Sequence, residues 1–267
     1  MKISGKISIT ILILVSLLSI FAPFISSYNP DRIDLDSLKE TPSLKHLFGT
    51  DSKGRDMLSR ILYGGRISIG IAITAALLSM SIGLIIGLCS GYFGGKVDVA
   101  IMAFVDLILS FPALLLAIGI SIILPPGIYT VMIAIAAVGW ASVARLIRGY
   151  ILTLREALFI DAARALGCSN TRILFVHLMP QCIPLLLVIM GLKLGGYILT
   201  EASLSFLGLG AQPPTATWGS MISTNRAYIS SAPWMVLFPG LMIAIVALCS
   251  NILGDALRNR YGLKIKG

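Results

Sequence analysis

The sequence predicts an all-α membrane protein of six transmembrane helices, with a pair of short cytoplasmic helices inserted between the fourth and fifth. Three observations carry that expectation. Of 267 residues, 57% are hydrophobic and only 12% charged, whereas soluble domains carry about 25% charged residues. Six apolar runs are long enough for a hydrocarbon core of about 30 Å, which takes roughly 17–25 helical residues. They are continuously apolar and do not alternate, so a barrel is excluded. Lastly, the segment Arg145 to Met179 interrupts the runs with a polar, helix-patterned stretch that spanning alone does not require.

The first run, Ile7 to Ile25, follows Lys2 and Lys6, and the small residues at 26–27 also fit a secretory signal. Its long, bulky core and the want of a clean cleavage site favour an uncleaved helix, so residues 1–27 are read as a membrane anchor. Residues 28–66 follow as an extracytoplasmic loop. It contains "GTDSKGRDMLSR", where Gly49, Gly54 and Arg55 fall close to a phosphate-binding loop. Such a loop needs a lysine for the phosphates and a hydroxyl for magnesium. Arg55 and Asp56 stand in those places, and a carboxylate repels phosphate.

The second run, Ile67 to Leu88, leads into consecutive G-x-x-x-G spacings at Gly83, Gly87 and Gly91, and the fifth, Ile183 to Ala202, holds another at Gly191 and Gly195. Small residues at that spacing let helices meet backbone to backbone; packing is the expected role, with substrate contact as the alternative. The third run, Val99 to Ile123, contains Asp106 and Pro112, and the fourth covers Ile128 to Ala144. Asp106, Lys193 and Glu201 are ionisable groups in or near spans. Such groups face a cavity or each other, so they are candidates for a path or gate. Lys193 and Glu201 are eight residues apart, ~80° around one helix, which does not favour a direct pair.

Between the fourth and fifth runs, Leu154, Leu158, Ala162 and Leu166 recur at four-residue steps, a helical amphipathic pattern. Gly167 stands where a left-handed cap is wanted. Ser169 or Asn170 can cap a second short helix reaching Pro180. A hairpin that merely lies on lipid would show the same pattern. The outer segment Ser203 to Met235 reads as a loop stiffened by prolines, with Trp218 an interfacial aromatic that can anchor among headgroups. The sixth run is Val236 to Leu253.

Basic residues set the orientation. With the amino terminus inside, the inner segments hold Lys2, Lys6, Lys96, Arg145, Arg148, Arg155, Arg164, Arg172, Arg258, Arg260, Lys264 and Lys266 against Asp98, Glu156, Asp161 and Asp255, while outer charges nearly balance. Both termini are therefore expected in the cytoplasm, and the net +9 reflects topology and not nucleic acid. Cys89, Cys168, Cys182 and Cys249 form no C-x-x-C, and His46 and His177 lie far apart, so neither a metal site nor a disulfide is expected.

"DAARALG", followed after nine residues by "HLMP", resembles the EAA motif of permease subunits in ATP-binding-cassette (ABC) importers. The match falls on Asp161, Ala162, Ala163, Gly167, His177 and Pro180, with Arg164 inside it; Asp161 replaces a glutamate and His177 an isoleucine. "FGTDSKGRDMLSRILYGGRISI", "FLGLGAQPPTATWGSMI" and "PGLMIAIVALCSNILGDALR" are similar to segments of the second permease subunit of the peptide/nickel importer family. The resemblance spans nearly the whole chain. It implies an importer transmembrane domain over 67–267 with a coupling segment at 153–180, and a place near the outer gate for the Trp218 loop as the alternative to a headgroup anchor. It also implies a heterodimer with a second permease subunit, two ATP-binding subunits carrying ATP and magnesium, and an extracytoplasmic substrate-binding protein. This chain itself would hold no cofactor and no catalytic site, in the cell membrane among lipids and without nucleic acid. The carboxyl terminus "NRYGLKIKG" departs from the acidic tail common in the family and tilts the expected cargo slightly to nickel or a nickel chelate, with di- or oligopeptides almost level. The readings from other classes are an intramembrane hydrolase, which would need a nucleophile and base in the spans, and an ATP-independent channel, which has no use for the cytoplasmic helices.

Overall fold

The computed structural model describes residues 3–262, so Lys2, Lys264 and Lys266 lie outside the described residues. The chain runs through α1 (Ile3–Ile20), the single turn α2 (Ala22–Ile25), α3 (Met57–Phe93), α4 (Gly95–Ser110), α5 (Ala113–Ile123), α6 (Ile128–Leu154), α7 (Leu158–Ala165), α8 (Asn170–Phe206), α9 (Trp218–Asn225) and α10 (Trp234–Tyr261). Five of these are long and apolar enough to cross a membrane, and the bent pair α4–α5 brings the number to six when counted as one span.

Glycine contacts fix how the helices run. A Cβ on Gly83 would lie 2.6 Å from Val143, one on Gly87 2.8 Å from Ile147, and one on Gly91 2.8 Å from Ile151. Each step of four along α3 is a step of four along α6, so these two helices are parallel and touch backbone to backbone. The chain from 94 to 127 must therefore return across the bundle. On α8 the equivalent Cβ contacts run the other way, Gly191 to Gly254 at 2.7 Å and Gly195 to Ala247 at 2.8 Å, so α8 and α10 are antiparallel. All five glycines singled out above lie at helix crossings.

The crossings place α7, with the ends Ile3 and Tyr261, at one face, here called the basic end after Arg148, Arg155, Arg164, Arg172 and Arg258. Residues 26–56 and α9 cap the opposite, loop end. There Trp234 Nε1 donates to the Thr50 carbonyl and Ser26 Oγ to Ser59 Oγ.

Three boundaries differ from the sequence-based expectation. The loop 28–66 ends at Asp56, whose carboxylate caps α3 by accepting the Ser59 N–H at 2.7 Å. The resulting 37-residue helix is about 55 Å long, well over the hydrocarbon thickness. The third span is not straight: α4 and α5 meet at 90°. Pro112 forces Phe111 into extended backbone (ψ 143°) and ends α4 there. The second helix of the predicted hairpin is no separate element, because it continues through Pro180 into the next span as one 37-residue helix. A π-helical turn, Ile173–Leu178, and a 3-10 turn, Met179–Cys182, carry the helix past Pro180 and Pro184, which have no N–H to donate.

Candidate functional site

At the basic end α6 gives way to α7 after Ala157, and the short helix is pinned from one side. Ile160 is fully buried and Ala163 nearly so, both packed in the cluster that includes Tyr92, Ile173, Leu174 and Leu178. The Arg164 guanidinium lies 5.8 Å over the Tyr92 ring, and Tyr92 Oη donates to Asn170 Oδ1 at 2.8 Å. Behind this seat Arg155 reaches the Gly91 carbonyl at 3.2 Å. Arg148 grips Asp98 through two hydrogen bonds of 2.5 Å, and Ser90 Oγ donates to the same carboxylate. Charge-assisted, bidentate contacts of this sort tie α4 to α6.

The helix ends in a Schellman motif: Cys168 N–H bonds to the Ala163 carbonyl at 3.0 Å and Gly167 N–H to the Arg164 carbonyl at 2.9 Å, with Gly167 at φ +78°. Ser169 then caps α8, its Oγ accepting from Arg172 N–H at 3.3 Å. The α7–α8 corner is therefore hydrogen-bonded on both sides of the turn.

The outward face of α7 is apolar where a polar one is ordinary. Leu158 is 86% and Leu166 83% exposed, flanked by exposed Asp161, Ala162 and Ala165. The stripe Leu158, Ala162 and Leu166 thus points away from the bundle, and Ile160 with Ala163 forms the anchoring side. Asp161 and Arg164 pair with each other on the surface of α7 at 3.3 Å. His177 is half-buried with Nε2 unpartnered, and Pro180 is exposed.

The remaining candidates are scattered over other levels of the bundle. Asp106 pairs with Arg145, both partly exposed. Lys193 donates to Ser142 Oγ on α6 at 2.8 Å. Glu201, fully buried, accepts from Ser68 Oγ at 3.0 Å and Ser205 Oγ at 2.7 Å, so it binds α3 and its own helix and not Lys193.

Trp218 is no headgroup anchor. It is fully buried, its Nε1 donates to the Ile61 carbonyl at 3.0 Å, and it opens α9 behind a capping box of Thr217 and Ser220. The T-x-x-S spacing before Met221 was the available signal for this helix.

The sequence-based reading also missed a buried ion cluster at the loop end. Asp51 accepts the backbone N–H groups of Lys53 and Arg55 and pairs with the Arg55 guanidinium at 2.7 Å; Arg60 lies 3.7 Å from the same carboxylate and 3.2 Å from Asp31. His46 Nδ1 meets Asp56 at 2.9 Å. In "GTDSKGRD" the turn's N–H groups are therefore satisfied internally by Asp51, where a phosphate loop would offer them to nucleotide. Arg55→Lys is expected to create no ATP binding in the purified chain, checked by equilibrium dialysis with labelled ATP; saturable binding would show the turn to be a phosphate site.

Among solved structures, a chain of the inward-facing MetNI methionine ABC transporter matches this fold with a TM-score of 0.61 at 18% identity, over 76% of this chain and 97% of that one. That likeness gives the fold, and the sequence family gives the class, the membrane-embedded permease subunit of an ABC importer. The chain belongs to the family of binding-protein-dependent transport system inner membrane components, whose model matches residues 80–263. Residues 4–42 match the N-terminal transmembrane domain of oligopeptide transport permease C. The chain is 42% identical over 266 residues to the dipeptide transport system permease protein of Alkalihalophilus pseudofirmus, covering 100% of this chain and 86% of the relative. It is 38% identical over 262 residues to the oligopeptide transport system permease protein of Bacillus subtilis, covering 98% and 86%. To the glutathione transport system permease protein of Escherichia coli it is 42% identical over 256 residues, covering 96% and 84%.

Proposed function

We propose that this chain is the permease through which an ABC importer admits di- or oligopeptides, and that α7 is the helix by which partner ATPases move it. The outward apolar stripe of α7 carries the coupling half of this reading. A helix held by Ile160 and Ala163 yet presenting Leu158, Ala162 and Leu166 gains by covering that face. Full burial of a leucine is worth about 1.5–3 kcal/mol. Ala162 and Ala165 let a groove approach closely, Asp161 and Arg164 supply charge at its rim, and the capped corner at Gly167 transmits movement to α8 as a rigid body. His177 and Pro180 lie farther along, where the π and 3-10 turns begin α8's entry into the membrane. ATP and magnesium belong to the ATPases, and this chain holds neither. A second permease subunit completes the path, and an extracytoplasmic binding protein delivers the cargo.

The relatives named above transport dipeptides, oligopeptides or glutathione by their names, which favours peptide over the nickel suggested by the carboxyl terminus. Uptake assays with the complete importer in liposomes decide between them: peptide uptake is expected, and uptake of nickel chelate with none of peptide would reverse the assignment.

The excess of basic residues at the α7 end supports placing that end in the cytoplasm. A cysteine introduced at Thr215 is then expected to react with an impermeant thiol reagent from outside intact cells, and one at Thr171 only after the cells are opened. The reverse pattern would invert the protein.

A further inference from the structure

Midway along α8 an ammonium stands in a cavity without a counter-charge. Lys193 lines a space of about 140 Å³ between the α4–α5 bend, α6 and α8, together with Leu109, Phe111, Ala113, Ser142 and Tyr197. Among the described residues, no acidic one lines it. The nearest carboxylate along α8, Glu201, is bonded to Ser68 and Ser205, and Asp106 pairs with Arg145. Of the three donors on the ammonium, the hydrogen bond found is to the neutral Ser142 hydroxyl at 2.8 Å.

A charge at this depth is costly in hydrocarbon and persists where it faces water, a cavity or an opposite charge. The surroundings add to the positive potential. The amino terminus of α5 opens at Ala113 on the same cavity, behind the break at Pro112, and broken membrane helices direct such termini at anionic groups. Ser142 holds the ammonium in place without neutralising it. The cavity therefore suits an anion that enters and leaves, and a permanent internal partner would have defeated that use.

We propose that Lys193 is a transient binding site for the carboxylate of the substrate, the free carboxyl terminus of a peptide, as it passes the α4–α5 bend. The proposal rests on the peptide reading above and goes beyond it by naming the group recognised and the residue that recognises it. Because a wholly apolar wall would treat a peptide and its amide alike, Lys193 is the element of the path that tells them apart.

The test uses the complete importer, with its binding protein and ATPases, in liposomes. Uptake of a dipeptide and of the same dipeptide as its carboxy-terminal amide is measured for the native complex, Lys193→Met and Lys193→Arg, at concentrations where both are taken up. The binding protein is common to all three, so its own preference cancels when the ratios are compared. Lys193→Met is expected to lower the acid-to-amide ratio about tenfold, as for one charge-assisted contact, and Lys193→Arg to keep it within about twofold. An unchanged ratio in Lys193→Met overturns the proposal. So does a loss of both substrates together with loss of the copurifying subunits, since Lys193 would then pair with a carboxylate of the second permease subunit. If the native complex takes up neither form while importing another cargo, the peptide reading itself has failed.

Discussion

Gly87→Val will part α3 from α6 and leave little folded protein in the membrane. The Cβ it adds would sit 2.6 Å from the Ala144 carbonyl oxygen and 2.8 Å from Ile147 Cβ. The first of these is backbone, which no rotamer change can move. Overpacking a tight site costs typically about 1–3 kcal/mol, and more where the backbone must shift. Here the flanking crossings at Gly83 and Gly91 are equally close, so relief at Gly87 opens the whole seam. That seam also fixes the parallel order of α3 and α6, and through it the return of α4–α5 across the bundle. The check is the amount and thermal stability of detergent-extracted protein, with Gly149→Ala as control, since nothing lies within 4 Å of a Cβ at Gly149. Gly87→Val at native abundance and stability would mean that α3 and α6 do not meet at this glycine.

The second large effect belongs to α7. Leu158→Glu with Leu166→Glu removes two exposed apolar groups from the docking face and adds two charges. At about 1.5–3 kcal/mol for each leucine buried, ATPase affinity should fall by about a hundredfold or more. Neither leucine is packed in this chain, so abundance and pairing with the second permease should hold. Gly167→Val should act through conformation. Its φ of +78° disfavours a β-branched residue, while the space around it is open, so the cost is about 1–2 kcal/mol of backbone strain at the corner and not a clash. Asp161→Lys reverses a rim charge beside Arg164; its effect should shrink in high salt, because an exposed pair is screened. Copurification of the ATPases and uptake in liposomes read all three. Normal ATPase association in all of them, at native abundance, would make α7 a helix resting on lipid.

The six apolar runs were legible in the sequence because lipid imposes length and composition together, and a run such as Val236 to Leu253 has no competing reading. The G-x-x-x-G spacings were equally visible as packing sites, although which helix each would meet was not. Periodicity showed that α7 has an apolar stripe but not which way it faces. Leu158, Ala162 and Leu166 were the conspicuous set, whereas the fold is held by Ile160 and Ala163, a pair too short to register as a pattern. The bend at Pro112 went unread, since Val99 to Ile123 reads as one straight span although a proline there sets the preceding Phe111 in extended backbone. The burial of Trp218 was missed because its surroundings come from distant segments. Its buried environment is assembled from Ile61 and Ser68, about 150 residues away in the chain, and loop composition carries no trace of them. The cluster around Asp51 and Arg60 was not legible, because burial of charge is invisible until its partners are placed.

A photoreactive amino acid at Ala162 in the assembled importer tests the docking of α7 most directly. Ala162 is exposed on the outward stripe, and Ile160, buried on the opposite side, is the paired position. Illumination should join Ala162 to an ATPase subunit, with Ile160 yielding only adducts within this chain. An Ala162 probe that captures lipid and no ATPase, in a complex that still hydrolyses ATP and imports its cargo, would contradict the assignment of α7 as the coupling helix.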